Sequence, residues 1–137
     1  MAVNSYGTVF RFTPEGGQQA AVGSIVSIGE IACDSEEIDV TALDSEGGYR
    51  EYIQGYRDAG VVKLEGFHDA GDAGQAAIRA AFDSGKKGDF VIAFPDGSEA
   101  RFKGFVKSYG LGAAKVDGAV GFSAAVRITG GVEFDEG

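Results

Sequence analysis

The chain has 137 residues, of which 44% are hydrophobic and 11% aromatic, enough to build one domain spanning residues 1–137 with a buried core and no structural disulfide or metal. Its apolar stretches are only a few residues long, and its N-terminus lacks the basic and apolar regions of a signal peptide, so we expect neither secretion by that route nor membrane spanning. Twelve basic against twenty-one acidic residues give a net charge of −9, which argues against a surface that grips nucleic acid.

Short strands joined by turns are the expected pattern of the first third of the chain. The 23 glycines follow no repeat period and separate short alternating segments. Strands are predicted at residues 6–12, 22–31 and 36–41. The single cysteine, Cys33, excludes an internal disulfide and suits a reducing cytoplasm. We predict that it is a small buried hydrophobic residue.

Residues 42–59 break this pattern, because they have neither a clear helical nor a clear strand period. Tyr49, Tyr52 and Tyr56 lie there among glycines and charged residues. Loops of this length inside a domain are uncommon and are usually functional or disordered until bound. Since tyrosine and arginine are enriched at protein interfaces, we predict that this loop contacts another subunit or partner.

A strand and a helix follow the loop. The strand is predicted at residues 61–67, with Val62 and Leu64 facing the core. The helix is predicted from an N-cap at Asp72 to a stop at Gly85, with Gln75 completing a capping box. Its predicted apolar face contains Gly74, Ile78, Ala81 and Phe82, and its polar face contains Gln75, Arg79 and Asp83.

The last third of the chain reads as a β-hairpin and a closing strand. Alternation predicts inward-facing residues at Phe90, Ile92 and Phe94, and then at 100, 102, 104 and 106, with a tight turn over 95–98. The clearest strand has Val120, Phe122, Ala124, Val126 and Ile128 on one face. Residues 131–137 are acidic and flanked by glycine, so we expect a flexible C-terminal end. About seven strands with one flanking helix predict a mainly β fold, either a β-sandwich or a half-barrel.

Catalytic and metal-binding patterns are weak in this sequence. His68, the one histidine, lies beside Asp69 and Asp72, but structural zinc and calcium sites require more ligands in a defined order. Ser108, Ser123 and Cys33 match no nucleophile motif. We therefore predict no cofactor and no enzymatic activity.

Two segments carry a resemblance to a known family. Residues 36–45 (EEIDVTALDS), followed by residues 49–60 (YREYIQGYRDAG), resemble the characteristic region of the tail tube proteins of long-tailed, non-contractile bacteriophages. In that family an acidic strand ending in Asp/Glu-Val-Thr leads to a long loop with Arg-Glu-Tyr-Ile-x-Gly. The order of the later strand, helix, hairpin and final strand is also similar, so the resemblance covers residues 5–131.

The resemblance implies a structural virion protein that assembles itself. It implies hexameric rings, stacked into a tube around a tape-measure protein, joined to tail tip or baseplate and terminator proteins, and assembled in the host cytoplasm. The loop at 42–59 would contact neighbouring subunits. The residues expected there are Asp44, Tyr49, Arg50, Glu51, Tyr52, Ile53, Tyr56, Arg57 and Asp58.

A negative lumen is a further implication, because like-charge repulsion keeps passing DNA from binding the wall. The acidic residues expected to face it are Glu37, Asp39, Glu65 and Glu99. Two alternatives stay open. One is a tube protein of a contractile or type VI-like apparatus, and the other is a small carbohydrate-binding β-sandwich module, although the chain lacks tryptophan.

Overall fold

The fold is known from a computed structural model that describes residues 7–112 and 120–135. These residues form nine strands, one α-helix and a short 3-10 turn. The elements are β1 (Val9–Pro14), β2 (Ala20–Val22), β3 (Ile25–Ile28), β4 (Asp34–Asp39), a 3-10 turn (Glu46–Gly48), β5 (Tyr52–Asp58), β6 (Val61–Phe67), α1 (Ala73–Ser84), β7 (Gly88–Ala93), β8 (Glu99–Leu111) and β9 (Gly121–Asp135).

Seven strands form one antiparallel sheet in the order β2-β1-β7-β8-β9-β6-β3. Its two edge strands, β2 and β3, are consecutive in the chain and joined only through Gly23 and Ser24. Because this short link brings the two edges close together, the sheet curls into a nearly closed barrel. The predicted mainly β fold with one flanking helix is confirmed.

Four of the buried phenylalanines form a ring cluster across three neighbouring strands of the core. The Phe90 ring on β7 stacks on Phe12 and Phe102, with centroids 4.6 Å and 5.4 Å away, and lies 5.8 Å from the Phe10 ring. Most of the remaining core residues come from alternate positions of β6, β8 and β9, as the alternation predicts. They include Val62, Leu64, Ala100, Val106, Phe122, Ala124, Val126 and Ile128.

The helix begins and ends as predicted, but its buried side is shifted. Asp72 caps the N-terminus, and Gly85 ends the helix in the left-handed conformation, with φ 71°. Gln75, predicted to be on the polar face, is buried, whereas Phe82, predicted to face the core, is 42% exposed. Both residues lie on one flank of the helix. The link between β2 and β3 contacts the N-terminal part of that flank through Gln75, whereas the C-terminal part is partly exposed.

Gly74 explains how closely the helix approaches β2. A Cβ at this position would collide with the backbone of Ala21 and Val22. The absence of a side chain therefore lets the first helical turn lie directly on β2, beside the gap in the barrel.

Gln75 and Asp72 together hold the barrel closed. The Asp72 carboxylate accepts hydrogen bonds from the Gln75 backbone N–H (2.9 Å) and from the Gly23 N–H (3.0 Å). The Gln75 amide donates to the carbonyl oxygens of Gly23 and Phe67, both at 2.9 Å, and accepts from the Asp69 N–H at 3.0 Å. The capping box is thus half formed, because the Gln75 side chain bonds to Asp69 and the β2–β3 link instead of returning to the Asp72 N–H.

Several strand boundaries differ from the prediction. The predicted strand 22–31 is divided at Ser24, whose φ of 58° interrupts an extended strand. The predicted strand 6–12 is found at Val9–Pro14, and Tyr6 lies outside the described residues. Phe94, which was predicted to face inward, lies between the end of β7 and the predicted turn and is 38% exposed. The turn itself is confirmed by the hydrogen bond from the Phe94 N–H to the Ser98 carbonyl.

The described residues differ from three further expectations. Cys33 is exposed, because it lies in the connection before β4, where no second layer covers it. Residues 52–58 of the predicted loop form β5. The expected flexible end is a paired strand as far as Asp135, because the bulge at Gly130 and Gly131 returns β9 to register with the start of β8. Residues 136 and 137 lie outside the described part of the chain.

Candidate assembly surface

The second sheet of the molecule consists only of β4 and β5. We call residues 34–58 the arm. Its strands pair antiparallel, with Ile38 opposite Ile53 and Asp39 opposite Tyr52. Gly55 and Tyr56 form a bulge opposite Glu36, where a Cβ on Gly55 would crowd Glu36 and Ile38. The arm therefore forms a two-stranded ribbon that is separate from the barrel.

Hydrogen bonds within the arm give its tip a defined geometry. The Val40 N–H donates to the Glu51 carbonyl (2.9 Å), and the Glu51 N–H donates to the Thr41 hydroxyl (2.8 Å). Arg50 lies 3.0 Å from the Asp39 carboxylate. Hydrogen bonds from Thr41, aided by Arg50, hold the pKa of Asp39 below its usual value. The tip is thus held together by its own polar groups and not by the barrel.

Large apolar side chains are concentrated on the arm. Among the described residues, seven of the thirteen exposed large apolar side chains lie within residues 34–58. They are Ile38, Val40, Leu43, Tyr49, Tyr52, Ile53 and Tyr56. A two-stranded ribbon without a packed face is marginally stable in water, and a contiguous exposed apolar surface usually marks an interaction site. The arm therefore has the exposed apolar surface that is typical of an interaction site.

The arm also carries most of the net charge. Between residues 34 and 58, eight carboxylates face two arginines, a net charge of −6 out of the −9 of the whole chain. The surface of the arm is thus both apolar and strongly acidic.

Comparison with known proteins identifies the family. A family described as "Lambda phage tail tube protein, TTP" matches residues 12–133, nearly the whole chain. The chain belongs to this tail tube protein family. No curated protein matches the sequence.

Solved structures of tail tubes share the fold of this tail tube protein. The tail of an empty gene transfer agent (GTA) particle, refined with C6 symmetry, is 26% identical with a TM-score of 0.78, and the match covers 97% of this chain and 98% of that one. The SPP1 tail tube is 19% identical with a TM-score of 0.73, covering 98% and 79%. A sheath/tube terminator of an extracellular contractile injection system is 9% identical with a TM-score of 0.75, covering 98% and 97%. The tail tube protein thus has a structural role in a tail.

The predicted interface residues of the tail tube protein all lie on the arm. Asp44, Arg50 and Glu51 lie at its tip, and Arg57 and Asp58 lie at its base. The predicted aromatic positions Tyr49, Tyr52 and Tyr56, together with Ile53, are exposed. Ile38, Val40 and Leu43 are also exposed on the arm and were not predicted from the sequence, although isolated apolar residues within an acidic segment were a usable signal for them.

The four acidic residues predicted for the lumen do not share one surface of the subunit. Glu37 and Asp39 lie on the arm, whereas Glu65 and Glu99 lie on the outward face of the barrel. Glu99 lies 2.5 Å from Arg101, and Asp39 is paired with Arg50. Their lumenal position stays a prediction.

An ion pair and hydrogen bonds connect the base of the arm to β9 of the tail tube protein. Arg127 lies 2.6 Å from the Asp58 carboxylate, which also accepts the Gly60 N–H at 2.8 Å. The Ile128 N–H in turn donates to the Gly60 carbonyl at 3.0 Å. The Gly60 hydrogen bond, with the Arg127 guanidinium, lowers the pKa of Asp58.

Low pH should weaken the contact between Asp58 and Arg127. Because the Asp58 pKa is lower in the folded state, its contribution to stability is present above the unfolded pKa and is lost as the pH falls through the folded value. We expect the parent chain to lose more unfolding free energy than Asp58→Asn between about pH 5 and about pH 2. Urea denaturation at each pH measures this difference, and equal losses for the two chains would contradict the assignment.

Two further features are absent from the described residues: a metal-binding cluster and a membrane-spanning helix. Residues 7–112 and 120–135 contain no cluster of three or more metal-binding side chains. In the same part of the chain, no helix is long and apolar enough to cross a membrane.

Proposed function

We propose that this tail tube protein assembles into six-membered rings that stack into a tube, with the arm as the main contact between subunits. One observation carries the proposal: the arm exposes seven large apolar side chains and contacts its own barrel mainly through β5 against β9. The GTA tail with C6 symmetry supports six subunits per ring.

The role in the particle follows from this assembly. The tube would form part of a phage or GTA-like virion, built in the host cytoplasm around a tape-measure protein and bounded by tip and terminator proteins. DNA would pass through the lumen without specific binding, and the role would be structural and not enzymatic. The match to the lambda family favours a non-contractile tail over a contractile or type VI-like apparatus.

Electron microscopy and light scattering over a concentration and salt series test the assembly. We expect rings or tubes from the intact chain, with six-fold symmetry and an acidic lumen in a cryo-EM reconstruction. Tyr52→Ala combined with Ile53→Ala should raise the concentration needed for assembly roughly tenfold or more, because both side chains would be buried between subunits. Its fold should be retained, since neither side chain belongs to the core.

A matched double substitution on the helix provides the control. Arg79→Ala with Asp83→Ala changes two exposed side chains outside the arm and should leave the assembly threshold unchanged. Equal thresholds for the arm variant and the intact chain would exclude the arm as the main contact. A chain that stays monomeric at every concentration, even with tail tip components added, would instead favour a carbohydrate-binding module. A predominantly positive lumen would overturn the acidic-lumen expectation.

A further inference from the structure

The arm has an aliphatic side with no partner in its own subunit. Strand alternation places Ile38 and Val40 on the same side of the ribbon, and Ile53 lies opposite Ile38. Their exposed fractions are 44%, 43% and 53%, respectively. Cross-strand pairs stabilise a sheet only modestly, and a two-stranded ribbon needs a further packing surface to be stable in water.

The barrel has an apolar groove that is also unfilled. It has a volume of about 420 Å³ and runs beside β3 toward the ends of β7 and β9. Val26 and Phe134 on its walls are exposed. The groove also exposes one free edge of β3, because β3 pairs only with β6 among the described strands. The other apolar side chains along it are Ile25, Ile28, Ile31, Ile92, Phe94 and Ala100.

Ring closure requires two different surfaces of the same chain. In a six-membered ring each subunit contacts its neighbour head to tail, so a patch on one copy meets a different patch on the next. The aliphatic side of the arm is one such patch. A receptor on the barrel must be apolar and must not repel the acidic arm.

The larger cleft beneath the arm fits this requirement less well. It has a volume of about 1290 Å³, but five charged side chains line it: Asp34, Glu36, Arg57, Asp58 and Arg127. The one charged side chain that lines the β3 groove is Glu30. An aliphatic partner would therefore remove fewer charged groups from water in the groove than in the cleft.

We propose that the aliphatic side of the arm, formed by Ile38, Val40 and Ile53, docks into the β3 groove of a neighbouring copy of this chain. This inference rests on the proposed function and specifies its contact. The groove offers aliphatic and aromatic side chains to an aliphatic partner, and the free edge of β3 lies alongside for backbone hydrogen bonds. The occupant is thus the arm of a second copy, and one copy both gives an arm and receives one.

Chemical cross-linking in assembled tubes tests this contact. In a Cys33→Ser background, Ile38→Cys and Val26→Cys are combined in one chain and treated with a short bismaleimide, which tolerates imperfect alignment. We expect a ladder of covalent oligomers on denaturing gels, ending at the ring size. A mixture of the two single variants should give dimers only, because each copy then carries one reactive end. Ile38→Cys combined with Arg79→Cys is the matched control and should give no ladder.

A charge-swap pair gives an independent measurement. Ile38→Asp alone should raise the assembly threshold at least about tenfold, because an unpaired carboxylate would enter an apolar groove. Adding Val26→Lys in the same chain should recover most of the loss.

The outcomes separate the inference from the proposed function. Tubes that form without a ladder from the Ile38→Cys and Val26→Cys chain, or an Ile38→Asp chain that assembles normally, would overturn the docking of the arm in the groove. An absence of rings and tubes from the parent chain would count against the proposed function itself.

Discussion

Phe90→Ala should lower the unfolding free energy by about 3–5 kcal/mol, the usual cost of removing a buried aromatic ring. Phe90 is 1% exposed and lies at the centre of the ring cluster formed with Phe10, Phe12 and Phe102. Its loss removes stacking contacts on both sides and leaves a cavity among three strands. Urea or guanidinium denaturation, followed by circular dichroism, measures the change.

Phe82→Ala provides the matched control, because it is the same substitution at a helix position that is 42% exposed. It should cost less than about 1 kcal/mol, since alanine favours the helix and no cavity forms. Comparable losses for the two variants would mean that the aromatic cluster is not the centre of the core.

Gln75→Leu should cost about 3 kcal/mol or more. The Gln75 side chain makes three hydrogen bonds of 2.9–3.0 Å, to Gly23, Phe67 and Asp69. Leucine fills the space but removes these three hydrogen bonds, and a typical hydrogen bond contributes roughly 0.5–1.5 kcal/mol to stability. Hydrogen exchange should also rise at the link between β2 and β3, because the contact that closes the barrel is lost.

Arg79→Leu tests whether the effect belongs to the network. Arg79 lies one turn further along the same helix and is exposed, so its replacement should change stability by no more than about 0.5 kcal/mol. A Gln75→Leu chain as stable as the Arg79→Leu chain would show that Gln75 contributes little to closing the barrel.

The alternation of apolar and polar residues predicted most of the barrel, because one face of each strand is buried in the core. Phe122, Ala124, Val126 and Ile128 repeat at every second position and are all buried. The two ends of the helix could also be predicted from the sequence, because the cap at Asp72 and the stop at Gly85 are local signals. Gln75 was predicted to be on the polar face of the helix because its burial depends on contacts with other elements. One contact is Gly23, 52 residues away in the sequence. The other is Phe67 at the end of β6.

The arm was harder to predict, because strand periodicity arises from a buried face and the arm has none. Tyr52, Ile53 and Tyr56 are all exposed, so β5 shows no alternation between apolar and polar residues. The bulge at Gly55 and Tyr56 shifts the phase further. The resemblance to tail tube proteins predicted interface residues between Asp44 and Asp58, but it did not show that this segment forms part of a paired ribbon. It also gave no sign of the groove beside β3, whose walls come from distant segments.

The concentration of carboxylates on the arm has a consequence for the free subunit. Two neighbouring strands with open edges and exposed aliphatic side chains are a hazard, because ribbons from different chains can pair edge to edge into aggregates. Charged residues within such segments act as gatekeepers that make this pairing unfavourable. Two arms that meet each bring a net charge of −6, so they repel each other. The same carboxylates therefore protect newly synthesised subunits from irregular fibres.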